Sequence, residues 1–203
     1  MSVGHSDMSS SYEKLLEKQY LPATVTTGAH KVKYHPQDDW DFHLDADREP
    51  IDLSLVLPHY RARNQPIDER MTMFVGSDMG PIKVKICRHV PRLRFYLDVR
   101  STGAPITIWL PSDFRGQINY SGKATFSSGF VNRVMQNVRF NSSHQEDYED
   151  IVVVDSPGAI TFRMWDVQTG APENTHRETL KRMFGCARKA PETSIDWDFL
   201  LED

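Results

Sequence analysis

Residues 82–110 read IKVKICRHVPRLRFYLDVRSTGAPITIWL. Ile82, Val84 and Ile86 alternate with Lys83, Lys85 and Cys87. Beyond Pro91, Leu93, Phe95, Leu97 and Val99 alternate with Arg94, Tyr96, Asp98 and Arg100. After the turn Ser101 to Pro105, Ile106, Ile108 and Leu110 alternate with Thr107 and Trp109. A period of two sends successive side chains to opposite faces, so each run predicts an extended strand with one buried face.

The same texture extends outward in both directions. Met71 to Val75 precedes the turn cluster Gly76 to Pro81, and Asp52 to Leu57 is an apolar run stopped by Pro58. His59 to Glu69 is polar, holds Pro66 and predicts a long connection. On the C-terminal side, short runs at Gln117 to Tyr120, Lys123 to Ser127 and Asn137 to Phe140 lead to a polar, acidic loop, Asn141 to Asp150. Ile151 to Val154 and Ala159 to Trp165 are the last strong strands. Strand signals recur about every 8–12 residues with no amphipathic helices between them. That spacing predicts a mostly β fold, an antiparallel β-sandwich or stacked-sheet domain, and opposes a βαβ arrangement.

One short helix is expected, near residues 175–185. Thr175 and Glu178 have the spacing of a capping box, Leu180, Met183 and Phe184 form one apolar stripe, and Gly185 suits the end. Residues 1–22 are Ser-rich and then charged, which predicts a flexible N-terminal segment. The β-rich domain is then residues 23–190. Residues 191–203 end on Asp196-Trp197-Asp198-Phe199-Leu200-Leu201, whose aromatic side chains predict a C-terminal clasp packed on the domain or on a second copy.

Composition narrows the function classes. The chain has 203 residues, 39 % of them hydrophobic, and a formal net charge of -4, so no global basic field recruits nucleic acid. No apolar run approaches the roughly 20 residues needed to span a bilayer, and the N-terminus lacks a signal-peptide core. Cys87 and Cys186 build no disulfide framework. The expected setting is cytoplasmic or otherwise intracellular, with no membrane partner and no cofactor.

The phrase Asp39-Trp40-Asp41-Phe42-His43-Leu44 closely resembles the C-terminal DWDFLL. Strict alternation from Asp38 to Asp47 puts Trp40, Phe42, Leu44 and Ala46 on one face, and Asp39, Asp41, His43, Asp45 and Asp47 on the other. Like charges at i, i+2 on a strand are about 6.5–7 Å apart. Asp39, Asp41 and Asp45 are therefore weak candidate oxygen ligands for a cation, and no metal is expected, because a straight strand splays ligands and no Ca²⁺ loop pattern is present. His43, Asp41 and Asp45, together with His89, are weak candidates for acid–base catalysis. Cys87 and His89 could pair as thiolate and imidazole, favoured by Lys83 and Lys85. A basic stretch that includes Arg88, Arg92, Arg94 and Arg100 lies near aromatic residues, and Trp40, Arg94, Tyr96 and Trp109 are the candidate binding residues. Asp113, at a turn start, reads as a structural residue. No phosphate loop, nucleophile elbow or dinucleotide fingerprint occurs.

Ile106 to Phe130, ITIWLPSDFRGQINYSGKATFSSGF, resembles a domain of unknown function found in fungal, especially mushroom-forming, proteins. Ile160 to Val167 and Phe184 to Asp203 resemble the C-terminal half of that family. The resemblance covers roughly Pro81 to Asp203. It implies a β-rich fold of repeated strand pairs; it carries over no activity, supplies no catalytic residues and leaves function open.

Two functions follow as expectations. The first is a non-enzymatic β-sheet binding or scaffold module with a protein or small-molecule partner, open to self-association into a homo-oligomer. The second is a small cofactor-free enzyme acting on an apolar metabolite in a sandwich or barrel pocket, with His and Asp side chains moving protons.

Overall fold

The computed structural model describes residues 26–89, 93–142 and 149–183. The N-terminal segment 1–22, Phe184, Gly185, Cys186 and the DWDFLL clasp lie outside the described residues. In chain order the strands are β1 (Thr27–Lys31), β2 (Phe42–Ala46), β3 (Ile51–Val56), β4 (Met71–Ser77), β5 (Ile82–Cys87), β6 (Phe95–Ser101), β7 (Ile106–Pro111), β8 (Gly116–Tyr120) and β9 (Lys123–Phe126). Helix α1 (Ser128–Arg133) and a single 3₁₀ turn (Met135–Asn137) follow. Then come β10 (Val138–Phe140), β11 (Asp150–Asp155), β12 (Ala159–Asp166), β13 (Ala171–Pro172) and helix α2 (Thr175–Met183).

From β1 to β9 the strands fall alternately into two sheets. One has the order β1-β3-β5-β7-β12-β13, with β9 also beside β12; the other has the order β10-β8-β11-β6-β4-β2. Among the described residues every pairing is parallel except the two-residue contact of β12 with β13. The expected antiparallel sandwich is therefore corrected to a parallel two-sheet coil. Parallel neighbours need a long connection, usually a helix. Here the connection is a strand of the opposite sheet, so short turns and parallel pairing coexist. Alternating polarity reports which face a strand buries and carries nothing about the direction of its neighbour.

The registers align like with like. Ile51, Ile82, Ile106 and Ile160 form one inward column, and Leu53, Val84, Ile108 and Phe162 form the next. In the other sheet Phe42, Met73, Leu97, Val152 and Ile118 line up, as do Leu44, Val75, Val99, Val154 and Tyr120. These columns meet between the sheets as one continuous apolar core. Each fully buried aliphatic or aromatic side chain contributes about 1.5–3 kcal/mol.

The last coil is not last in space. Strand β11 lies between β6 and β8, and β12 lies between β7 and β9. The chain skips one level after β7, builds β8 to β10, and returns to fill the gap.

Two local readings are also corrected. The alternation of the first DWDF phrase holds for Phe42, Leu44 and Ala46 but breaks before the strand begins: Asp41 is buried, while Trp40 turns outward to Phe74 and Tyr96. A single helix is expected, and the described residues contain two. Six-residue α1 is too short to show a period; Ser127 caps it by accepting from Phe130 N at 3.3 Å. In α2 the cap is Asn174, whose Oδ1 accepts from Arg177 N at 3.1 Å, and not Thr175. Its Leu180 and Met183 are exposed, at 52 % and 73 %. The helix docks instead by a polar face, with Asn132 Nδ2 donating to Glu178 O at 3.2 Å.

Candidate binding face

The outward residues of the six-stranded sheet bring together several of the sequence-derived candidates. Inward Met71, Met73 and Val75 force Thr72 and Phe74 outward; inward Phe95, Leu97 and Val99 do the same for Tyr96, Asp98 and Arg100. Trp40 reaches Phe74 and Tyr96 from the turn before β2, with ring centroids 5.5 Å and 6.0 Å away. His43 stacks on Phe74 at 4.9 Å, with 11° between the planes. The Arg100 guanidinium lies 5.7 Å from the Phe74 ring and grips Asp98 through Nε and Nη2, at 3.1 and 2.8 Å. Trp40, Phe74 and Tyr96 are partly exposed, and His43 and Arg100 are exposed. Burial, then the charge of Asp98, push the Tyr96 phenol up, so it stays a neutral donor.

The carboxylates of this region do not converge. Asp41 Oδ1 accepts from His35 N at 2.7 Å and Oδ2 from Thr72 N at 2.8 Å, so its oxygens satisfy backbone donors. Asp45 points outward beside Gly76, where a Cβ would come 2.5 Å from Asp45 Oδ1. Asp39 is exposed. Among the described residues no group of three or more His, Cys, Asp or Glu side chains is placed to hold a metal ion.

The other candidates sit elsewhere. Trp109 is on the outer face of the opposite sheet, in one row with Lys85 and Arg163, whose cations lie 5.2 and 5.3 Å from its ring. Asp52 and Glu173 pair with those cations in turn, and Trp109 is only 8 % exposed. Arg94 lines a cleft of about 430 Å³ with His59, Tyr60, Arg61, Ile67, Asp68, Glu69 and Leu93. His89 is exposed and stacks on His59 at 5.1 Å. Burial pushes the Cys87 thiol up to about 11 against the pull of Lys85, which opposes a thiolate there.

Phe74, Arg100, Asn119, Asn141 and Asp155 complete the outer face; of these, the sequence singles out Arg100 alone, as part of the basic stretch. Phe74 was legible, since alternation in Met71 to Val75 turns it outward. The others come from strands and turns distant in sequence that only the inserted coil brings side by side.

A buried ion network underlies this end of the coil. Arg88 Nη1 donates to both oxygens of Asp150, at 2.9 and 2.8 Å, and to Leu93 O at 3.2 Å. Nε and Nη2 donate to Asp113 Oδ1, at 3.2 and 2.9 Å. Asp113 is thus structural, but through Arg88. Burial pushes the Asp150 carboxyl up to about 6, opposed by the Arg88 charge and by hydrogen bonds from Arg88 and the Phe95 and Arg115 backbone.

A family model described as Domain of unknown function (DUF7330) matches residues 18–162. No curated protein and no solved structure matches the chain.

Proposed function

We propose that this chain, which belongs to the DUF7330 family of domains of unknown function, is a non-enzymatic binding module whose recognition surface is the outer face of its six-stranded sheet. The observation that carries this reading is the ring cluster Trp40–Phe74–Tyr96, with His43 stacked on Phe74. Aromatic side chains offer large contact area at low entropic cost, and Trp and Tyr are enriched where binding energy concentrates. Here Phe74 and Tyr96 stand on paired strands over a packed core and Trp40 packs on both from the turn before β2, so little ordering is lost on binding.

The enzyme reading receives less support. It requires a pocket holding one of its acid–base groups. None of the three described clefts is lined by His43, Asp41, Asp45 or His89. Self-association has its own support in β1 and β2, which each pair with a strand on one side only among the described residues. Light scattering across a concentration series tests it, and a constant monomer mass removes it.

Tryptophan fluorescence tests the binding face. With Trp109, Trp165 and Trp197 replaced by Phe, emission reports Trp40 alone. A ligand recovered from glycan, peptide and metabolite panels should shift that emission, and Trp40→Ala should weaken its binding. Ligands that bind the wild type and Trp40→Ala equally would sink the proposal.

A further inference from the structure

Resting on that face as the binding surface, we propose that its ligand is a neutral glycan chain lying across β2, β4, β6, β11 and β8. The aromatic cluster is one half of the site. The other half is a groove of about 570 Å³ whose lining includes Arg100, Asn119, Ser121, Asn141, Val153 and Asp155. Arg100 belongs to both halves, since it also lies over Phe74.

Asn119, Asn141, Asp155 and Arg100 are each held by hydrogen bonds at one group and present another to the groove. Asn119 Oδ1 accepts from Gln117 Nε2 at 2.8 Å, and Gln117 is itself oriented by donating to Ser142 O, which leaves Asn119 Nδ2 to donate. Asn141 Oδ1 accepts from Tyr120 N at 2.9 Å, leaving its Nδ2. Ser121 Oγ donates to Asp155 Oδ1 at 2.6 Å, leaving Oδ2 to accept. Asp98 takes Nε and Nη2 of Arg100, leaving Nη1. The result is three oriented donors and a carboxylate acceptor beside flat aromatic faces.

A pyranose ring matches that set. It has an apolar C–H face to lay on an aromatic ring and a rim of hydroxyls that both donate and accept. Strands about 4.8 Å apart put β2 and β8, four steps from each other, about 19 Å apart. A linear chain of several rings can therefore touch both halves at once. The alternatives fit less well. A peptide strand has no backbone to pair with in mid-sheet, where the ladders are already satisfied. A nucleic acid needs uncompensated cations, whereas Asp98 neutralises Arg100, and Asp45 and Asp155 flank it.

Electrophoresis of the full chain through gels containing laminarin, hydroxyethylcellulose, arabinoxylan or galactomannan tests the proposal, with polygalacturonate as the acidic comparison. At least one neutral polymer should retard the wild type. Trp40→Ala and Asn119→Ala should each raise the apparent Kd about tenfold or more, while Lys83→Ala, on the opposite sheet, leaves it unchanged. Asn119 is a partly exposed groove residue, so its variant keeps the test valid if Trp40→Ala folds poorly. No retardation by any neutral polymer, or retardation by polygalacturonate alone, overturns the glycan class. If a peptide or metabolite then shifts Trp40 emission, the binding face stands without it. Retardation unchanged in both variants overturns the glycan site and the binding face together.

Discussion

Arg88 and Asp150 close a two-pronged ion pair, at 2.9 and 2.8 Å, with both side chains only 4 % exposed. The pair joins the residue after β5 to the first residue of β11. It therefore ties the coil that is built late in the chain to one built early. Asp113, from the turn before β8, takes the remaining face of the guanidinium.

Removing one partner of such a pair strands the other charge. Arg88→Met should cost about 3–5 kcal/mol, read as a fall in the urea midpoint at constant slope. Arg88→Met with Asp150→Leu should recover part of that loss. A double variant no better than the single would mean that Asp113 and the Leu93 carbonyl carry the anchoring.

Asp150 also sets a pH dependence. Its folded pKa, about 6, lies above the ordinary value of 3.8, so between those values the folded state holds a proton that the unfolded state has released. Stability from this group is full below about pH 4 and is lost as pH rises through about 6. The stability difference between wild type and Asp150→Asn should therefore move against the wild type across that window. Movement in the other direction would show that Arg88 outweighs burial.

Gly116 opens β8 beside Asp150. A Cβ there would come 1.9 Å from Asp150 O, and the backbone has φ +156. Neither β8 nor β11 can yield without breaking its ladder. Gly116→Ala should cost about 3 kcal/mol or more, measured by denaturant unfolding. Gly103→Ala, where a Cβ meets nothing within 4 Å, is the matched control and should stay within about 0.5 kcal/mol.

Asp41 and Asp45 should separate cleanly. Asp41→Ala leaves the His35 and Thr72 amides without their carboxylate and should cost about 1–3 kcal/mol. Asp45 is exposed, and Asp45→Ala should change stability by no more than about 0.5 kcal/mol. Equal thermal shifts for the two would contradict the structural role given to Asp41.

The cations beside Trp109 should also differ. Lys85 pairs with half-exposed Asp52, so Lys85→Ala should cost about 1 kcal/mol or less. Arg163 pairs with Glu173, whose side chain is fully buried and whose Oε2 already lacks a partner among the described residues. Arg163→Ala should cost about 2–3 kcal/mol. Equilibrium unfolding of the two variants side by side decides the order.

Much of the site was legible only in pieces. Of the four candidate binding residues read from the sequence, Trp40 and Tyr96 meet on one face, while Trp109 and Arg94 belong to other surfaces. Asn119, Asn141 and Asp155 carried no signal, because isolated polar residues near turns are ordinary. They become a groove only when β11 enters between β6 and β8. Glu178 similarly read as half of a capping box, yet its place opposite Asn132 depends on two helices that are distant in sequence.

For β3 to β7, β11 and β12 the sequence by itself determined that the residues are strands, and its alternation marked the buried face in β4 to β7. The period of two in Ile82, Val84 and Ile86, or in Phe95, Leu97 and Val99, leaves no other way to bury those side chains together. Tertiary structure decided the direction of every described pairing, the level at which β11 and β12 insert, and the burial of Asp41 against Thr72 and His35. The physical reason is that the ladder forms between backbone groups common to all residues, so polarity patterns select a face but not a neighbour. Neighbours are selected by the matched columns of Ile51, Ile82, Ile106 and Ile160, and by Arg88 reaching Asp150 across the fold.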